Sequence, residues 1–394
     1  MEPFIVFGIV LALVLNFVNG LNDASHSIAT VVATKALSPM KAILLTAICN
    51  MFGPFIFATA VAVTIGTGII NPEALTPLSI VVAMGSAILL VVVATRTGMP
   101  VSSSHAIVGG LVGAGIGVAG VSAVLLPSGV VFIEIAIAAV MGAVAGAILL
   151  GTITASLGGD VKQALLLGAI FGAAIIIPCL MIAGVLVLSG LVAIVLFIFI
   201  SPILGMVAAF LFDVLISHLF RYSRQNRMHR VFQPLHSLAS LFQAAAHGAN
   251  DGQHAAGLIT ALLVSAGILS SFEVPTEVIL ASAIAIGLGT CFGGWQVVEK
   301  MAKKITKIRP YQGFCAATTG CSILAGVTAY GIPVSSTHVI SGAIIGVGAT
   351  RGKNAVQWDV VREMMNAWVI TIPVALVIAY GAYRLVAALF PGFA

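Results

Sequence analysis

Two acids and two hydroxyl tracts hold most of the chemistry this chain can do. Asp23 and Asp251 close matching motifs, Gly20-Leu21-Asn22-Asp23 and Gly248-Ala249-Asn250-Asp251, and each lies inside a long apolar stretch. A carboxylate at bilayer depth costs about 2.5–3.5 kcal/mol on insertion scales. One such acid could simply hold two helices together; two in the same context point to function. Their oxygens, with the side-chain oxygens of Asn22 and Asn250, are hard ligands suited to an alkali cation. Gly20 and Gly248 are expected to weaken the helix at these points. Further along each half stands a second pair of motifs, Gly98-Met99-Pro100-Val101-Ser102-Ser103-Ser104-His105 and Gly331-Ile332-Pro333-Val334-Ser335-Ser336-Thr337-His338. Proline has no N–H and breaks a helix. The hydroxyls then fall at the start of a half-helix, where free N–H groups and the positive dipole end make an anion site. An ordinary N-cap needs one hydroxyl; three in a row, twice, exceed that. Ser102, Ser103, Ser104, Ser335, Ser336 and Thr337 are therefore expected to hold an anion beside Asp23 and Asp251. His105 and His338 end the tracts and His26 and His254 follow the aspartates, as supporting contacts around the site. Gln243 precedes the second aspartate and could face the same space, whereas His247, which abuts that motif, is less informative.

These residues must be positioned by membrane helices. Of 394 residues 60% are hydrophobic and 7% charged, against about 25% charged in a soluble domain; mean hydropathy is +1.18. The alternation of a membrane β-barrel is absent. Five cysteines form no CxxC pair, so neither a disulfide framework nor a metal site is indicated. The first apolar segment carries a functional motif and lacks a basic leader, and is read as a span rather than a signal peptide. The fold expected is an all-α integral membrane protein of about 12 transmembrane helices, at 4–33, 42–65, 78–96, 98–126, 130–157, 164–187, 191–217, 236–265, 276–298, 310–330, 331–350 and 360–390. With the loop bearing Arg221, Arg224, Arg227 and Arg230 placed in the cytoplasm, every Lys and Arg except Arg384 falls on or near that side. Both termini then face outward. An odd number of spans separates the two copies of the motifs, so they insert in opposite directions. Residues 1–157 and 236–394 read as two inverted repeats of five spans, with 158–235 as a connector of two spans and a basic loop. Whether the hydroxyl tracts are broken helices or re-entrant hairpins is open from sequence. Gly109 and Gly113, with Gly342 and Gly346, have the spacing of close helix contacts.

Charge sets what must accompany the anion. No Lys or Arg falls within the motifs. Two aspartates and an anion of charge −1 to −2 total about −3 to −4, and two half-helix N-termini offset only about +1. Bound cations or protons must therefore enter with the anion, a physical basis for symport. Sodium is preferred, since ionised carboxylates, Asn and hydroxyl oxygens hold it without any change in protonation. Proton coupling is the alternative and requires both aspartates to take up protons near neutral pH. The basic residues cluster between apolar segments, so nucleic acid is not a partner. No organic cofactor is indicated.

At these four motifs the chain resembles the PiT family of inorganic phosphate transporters, whose signature is Gly-x-Asn-Asp once per half, and the resemblance covers nearly the whole sequence. It implies symport of inorganic phosphate with Na+ or H+, an inverted-repeat fold, a homodimer in contact with membrane lipid, and a plasma or inner-membrane location. It carries over Asn22, Asp23, Asn250, Asp251 and the hydroxyls of both tracts. The chain departs from the pattern at Leu21, His26 and His254, which bear on cation preference.

Three rivals remain. A sulfate permease would bind an anion with no proton to donate at neutral pH, whereas aspartates accept only, which favours phosphate. An intramembrane enzyme needs one asymmetric nucleophile–base set, and symmetric duplication argues against it. A passive anion channel would ignore a cation gradient.

Overall fold

Prolines set many of the helix starts: Pro3, Pro39, Pro77 and Pro310 each stand in a first turn, where a missing N–H costs nothing. The computed structural model describes residues 2–56, 59–99, 101–156, 160–186, 188, 190–293 and 306–393, with the side chains of 24–26, 353 and 393 left aside. Among these residues the architecture is helical: α1 (Pro3–Ala33), α2 (Pro39–Phe52), α3 (Ala60–Thr67), α4 (Pro77–Thr97), α5 (Ser103–Ala119), α6 (Gly129–Ser156), α7 (Val161–Ile182), α8 (Gly190–Leu219), α9 (Gln225–Ser265), α10 (Thr276–Phe292), α11 (Pro310–Ala329), α12 (Ser336–Ala349) and α13 (Trp358–Leu389). Each expected span contains a helix, but length divides them. Six helices are long and apolar enough to cross a bilayer, and a seventh span results if α2 and α3, bent by 75° at their break, count as one. The apolar helices α5, α10 and α12 are shorter, with 17, 17 and 14 residues. At 1.5 Å per residue they run roughly 21–26 Å, less than the ~30 Å hydrocarbon core. The span expected at 276–298 is helical to Phe292; residues beyond Gly293 lie outside those described.

The first motif pair corrects an expectation. Gly20 and Gly248 do not interrupt their helices; α1 and α9 run straight through both motifs. The glycines serve close packing instead. A Cβ on Gly20 would stand 2.2 Å from the Ile286 carbonyl oxygen of α10, and one on Gly248 would stand 2.0 Å from the Asn50 carbonyl oxygen of α2. The hydroxyl tracts do break the chain. Gly98 and Gly331 each adopt φ of 67°, the left-handed conformation that ends a helix and that glycine enters without strain. Pro100 is outside the described residues; Pro333 lies in the non-helical stretch between α11 and α12.

Matched glycines also seat the two short helices. Cβ atoms on Gly109 and Gly113 of α5 would meet the Ile372 and Leu376 carbonyls of α13 at 2.5 and 2.2 Å, and those on Gly342 and Gly346 of α12 would meet the Pro202 and Met206 carbonyls of α8 at 2.1 Å each. So α8, placed by sequence in the connector, supports α12 as α13 supports α5. Two apolar cores result, one around α12, α8 and α11, the other around α1, α4 and α5. The polar motifs lie between them.

Candidate functional site

Each half builds its part of the site from the same bonds. Asn22 donates through Nδ2 to Asp23 Oδ1 at 2.7 Å and to the Val101 carbonyl at 3.2 Å, and its Oδ1 accepts from Thr95 Oγ1 at 2.9 Å. These bonds tie α1 to α4 and to the broken segment before α5. With its amide oxygen turned to Thr328, Asn250 makes the equivalent set: nitrogen to Asp251 Oδ1 at 3.1 Å and to the Val334 carbonyl at 3.2 Å, oxygen accepting from Thr328 Oγ1 at 2.9 Å. Amide oxygen and nitrogen are told apart by such networks.

The hydroxyl tracts divide their labour. Ser102 and Ser335 are the N-caps, accepting from the His105 and His338 backbone N–H at 3.2 and 3.4 Å. Both are expected as ligands of the anion, and the structure gives each this capping role. The next residue in each tract turns inward: Ser103 Oγ donates to Asp23 Oδ2 at 3.3 Å, and Ser336 Oγ to Asp251 Oδ2 at 3.2 Å. Thr337 Oγ1 lies 3.5 Å from Asp23 Oδ1, a contact that crosses from one half to the other. Its counterpart Ser104 is buried with no partner for its hydroxyl. All six tract residues and both aspartates are at most 2% exposed.

His247, read as less informative from sequence, completes the site. Its ring lies between the two aspartates, with Nε2 at 3.1 Å from Asp251 Oδ2 and 3.8 Å from Asp23 Oδ2. Ligand atoms of the three side chains fall within 4.8 Å of one another. The other ring nitrogen, Nδ1, is 2.7 Å from Asn50 Oδ1. Asn50 Nδ2 donates to Thr290 Oγ1 at 2.8 Å, and that hydroxyl donates to the Ile286 carbonyl at 2.9 Å. The chain of donors fixes Asn50 Oδ1 as an acceptor, so Nδ1 bears a hydrogen and Nε2 faces two carboxylates. A bare ring lone pair there would repel both acids, so the space between His247, Asp23 and Asp251 suits a cation or a proton. The signal was present in the sequence: His247 precedes Asp251 by four residues and shares its helix face.

The other residues expected around the site make these contacts. His105 and His338 pack edge to face at 4.7 Å between ring centroids, and His338 lies 4.1 Å from the Trp368 ring. His254 is buried with neither ring nitrogen partnered. Gln243 donates to Ser27 Oγ at 3.4 Å. The His26 side chain lies outside those described. Asp213 is fully buried and accepts from Thr350 Oγ1 at 2.6 Å and Gln312 Nε2 at 3.3 Å.

Two carboxylates this close repel by roughly 3–4 kcal/mol at an effective dielectric constant of about 20, which a proton or a metal cation between them removes. Paired half-helix starts with hydroxyls beside them can take a tetrahedral oxyanion. A family described as the Phosphate transporter family matches residues 19–165 and 162–379. The chain belongs to this family. It is a multi-pass membrane transporter and not an enzyme. A "Probable low-affinity inorganic phosphate transporter" of Rhizobium meliloti (strain 1021) is 38% identical over 382 residues, covering 97% of this chain and 96% of the relative. One of the same description from Bacillus subtilis (strain 168) is 32% identical over 385 residues, with 97% of each covered. A solved structure, "The sodium-dependent phosphate transporter", superimposes with a TM-score of 0.70 at 25% identity, covering 98% of this chain and 100% of the other.

Proposed function

We propose that this transporter imports inorganic phosphate driven by a Na+ gradient, by alternating access around one site near the middle of the membrane. The observation that carries this reading is the meeting of all four motifs: Ser103 on Asp23, Ser336 on Asp251 and Thr337 across to Asp23, all buried. Phosphate is bound by Ser103, Ser104, Ser336, Thr337 and the free N–H groups of α5 and α12, and donates a hydrogen to Asp23 or Asp251. Sodium is held by Asp23, Asp251, Asn22 and Asn250. The matched bonds of Asn22 and Asn250 and the matched glycine contacts support two repeats; the odd number of spans between the motifs and the side on which Lys and Arg fall support their inversion and outward termini, and we take the chain to be a homodimer, as the family resemblance implies. The sodium dependence named for the structural neighbour supports the choice of cation.

Equilibrium binding tests this directly. Labelled phosphate should be retained by the purified protein in NaCl far better than in choline chloride. Ser103→Ala and Ser336→Ala should each weaken retention. Equal retention in both salts would overturn the sodium reading.

Proton coupling is the second reading, and the approach of His247 Nε2 to both Asp23 and Asp251, which a proton could bridge, favours it. On that reading phosphate retention follows pH and ignores the choice of salt.

A further inference from the structure

A polar cavity of about 350 Å³ lies where α8 ends and α9 and α11 begin. Ser217 of α8, Ser223 of the turn, Gln225 and His229 of α9 and Arg309 at the start of α11 line it. Met228, Pro310 and Tyr311 give it an apolar wall. None of these residues belongs to the transport site.

The surroundings are cationic. The two stretches of chain that supply the lining hold no acid: none occurs between Asp213 and Asp251, or between Glu299 and Asp359. Arg309 lines the cavity, and Arg221, Arg224, Arg227 and Arg230 flank its α9 wall in sequence; all five are exposed. Asp213 stands one helical turn before Ser217. It is fully buried, accepts from Thr350 and Gln312, and has Arg351 as well as Arg309 within electrostatic reach. Among the described residues, Asp160, Asp359 and Glu363 are the other acids on the basic side. They belong to the cap of α7 and to α13, neither of which lines the cavity, and α13 packs on α4 and α5 instead. Both α9 and α11 start here, so the positive ends of two helix dipoles add to the side-chain charge.

Depth separates this place from the bilayer. Thr328 of α11 bonds Asn250 at the transport site, and Pro310 precedes it on the same helix by roughly 27 Å at 1.5 Å per residue. Along α8, the Ile198 carbonyl meets the His338 ring, and Ser217 lies roughly 28 Å further on. With the transport site near the middle of the membrane, both distances exceed the about 20–22 Å from midplane to the outer edge of the headgroups. The cavity therefore takes its ligand from water. Arginine grips a phosphate group through paired N–H donors, the hydroxyls and the His229 ring add further donors, and the wall of Met228 and Tyr311 suits a flat ring. The volume is at the lower end of small-molecule sites.

We propose that this cavity binds a soluble cytoplasmic nucleoside monophosphate, with its phosphate at Arg309 and His229 and its base against Met228 and Tyr311. The proposal rests on the orientation and midplane site given under the proposed function, and not on the choice of coupling cation.

The test uses the full chain in phosphatidylcholine nanodiscs and labelled adenosine monophosphate in equilibrium dialysis. Choline chloride replaces NaCl, so the result is independent of sodium coupling. One nucleotide should bind per chain. Arg309→Ala and His229→Ala should each weaken binding by at least about tenfold; His229 is exposed on the first turns of α9, which guards against loss through misfolding. Arg96→Ala, an exposed arginine of α4 outside the cavity, should leave binding unchanged. No bound nucleotide, or equal losses in the Arg96 and Arg309 variants, overturns the proposal. So does displacement by an equal concentration of inorganic phosphate, which would show that the phosphate alone is read, or by phosphatidylglycerol added to the discs, which would make the ligand a lipid headgroup.

Discussion

The Asp23 half and the Asp251 half use one scaffold with two different electrostatics. Asparagine, aspartate, threonine and inward serine repeat bond for bond, and the glycine contacts repeat to within a few tenths of an ångström. Four residues before each aspartate the halves part. His247 bridges both acids, whereas the corresponding Asn19 is buried with neither its oxygen nor its nitrogen partnered. Duplication thus supplied a symmetric cradle, and a single position made it unequal. A buried polar side chain without a partner costs free energy, so Asn19 marks space that a hydrated ion or substrate oxygen can use. His247 marks the place where charge is already matched.

Removing what the halves share should do most damage. Asp23→Asn and Asp251→Asn should each cut phosphate uptake by at least about a hundredfold, as expected when a buried charge partner is lost. Folded yield on size-exclusion chromatography should hold or rise, because a buried charge disappears. Near-normal uptake by both variants would break the equivalence of the halves as well as the site.

Next comes the packing they share. Gly20→Ala and Gly248→Ala each press a methyl group onto a backbone carbonyl, and overpacking of this kind costs about 1–3 kcal/mol. Both should lower the thermal midpoint in detergent to a similar extent. A large drop in one and none in the other would show that α1–α10 and α9–α2 are not equivalent contacts.

Changing what differs should do less. His247→Asn gives the second half the residue of the first. With its bridge gone, transport should fall about tenfold, the scale of a lost charge-assisted hydrogen bond of about 1.4 kcal/mol. Unchanged uptake would reduce His247 to packing. The smallest effect is expected from the serines. Ser103→Ala and Ser336→Ala should raise the phosphate concentration for half-maximal uptake several-fold and nearly equally, in line with single neutral hydrogen bonds of about 1 kcal/mol. Markedly unequal values would place the phosphate nearer one half.

The comparison also shows what a sequence makes legible. Helix positions and the four motifs could be read directly, because hydropathy and proline carry that information locally. An anion site beside the aspartates was expected from the hydroxyl runs and their proline breaks; the direct contacts of Ser103, Ser336 and Thr337 with the carboxylates were not legible. The role of Gly20 and Gly248 was misread, because a glycine reads the same whether it loosens a helix or admits a neighbouring carbonyl. That Ser102 and Ser335 are the caps was not legible, because chemical type does not say which of three hydroxyls must cap. His247 was undervalued because its partners, Asp23 and Asn50, are remote in sequence.

The central claim is that the paired motifs couple phosphate to sodium. Uptake of labelled phosphate into proteoliposomes, with membrane potential clamped and Na+ varied, tests it most directly. Uptake should rise more than linearly with external Na+ and survive a protonophore. If a protonophore stops uptake at saturating Na+ under the same clamp, the coupling ion is H+ and the sodium account is wrong.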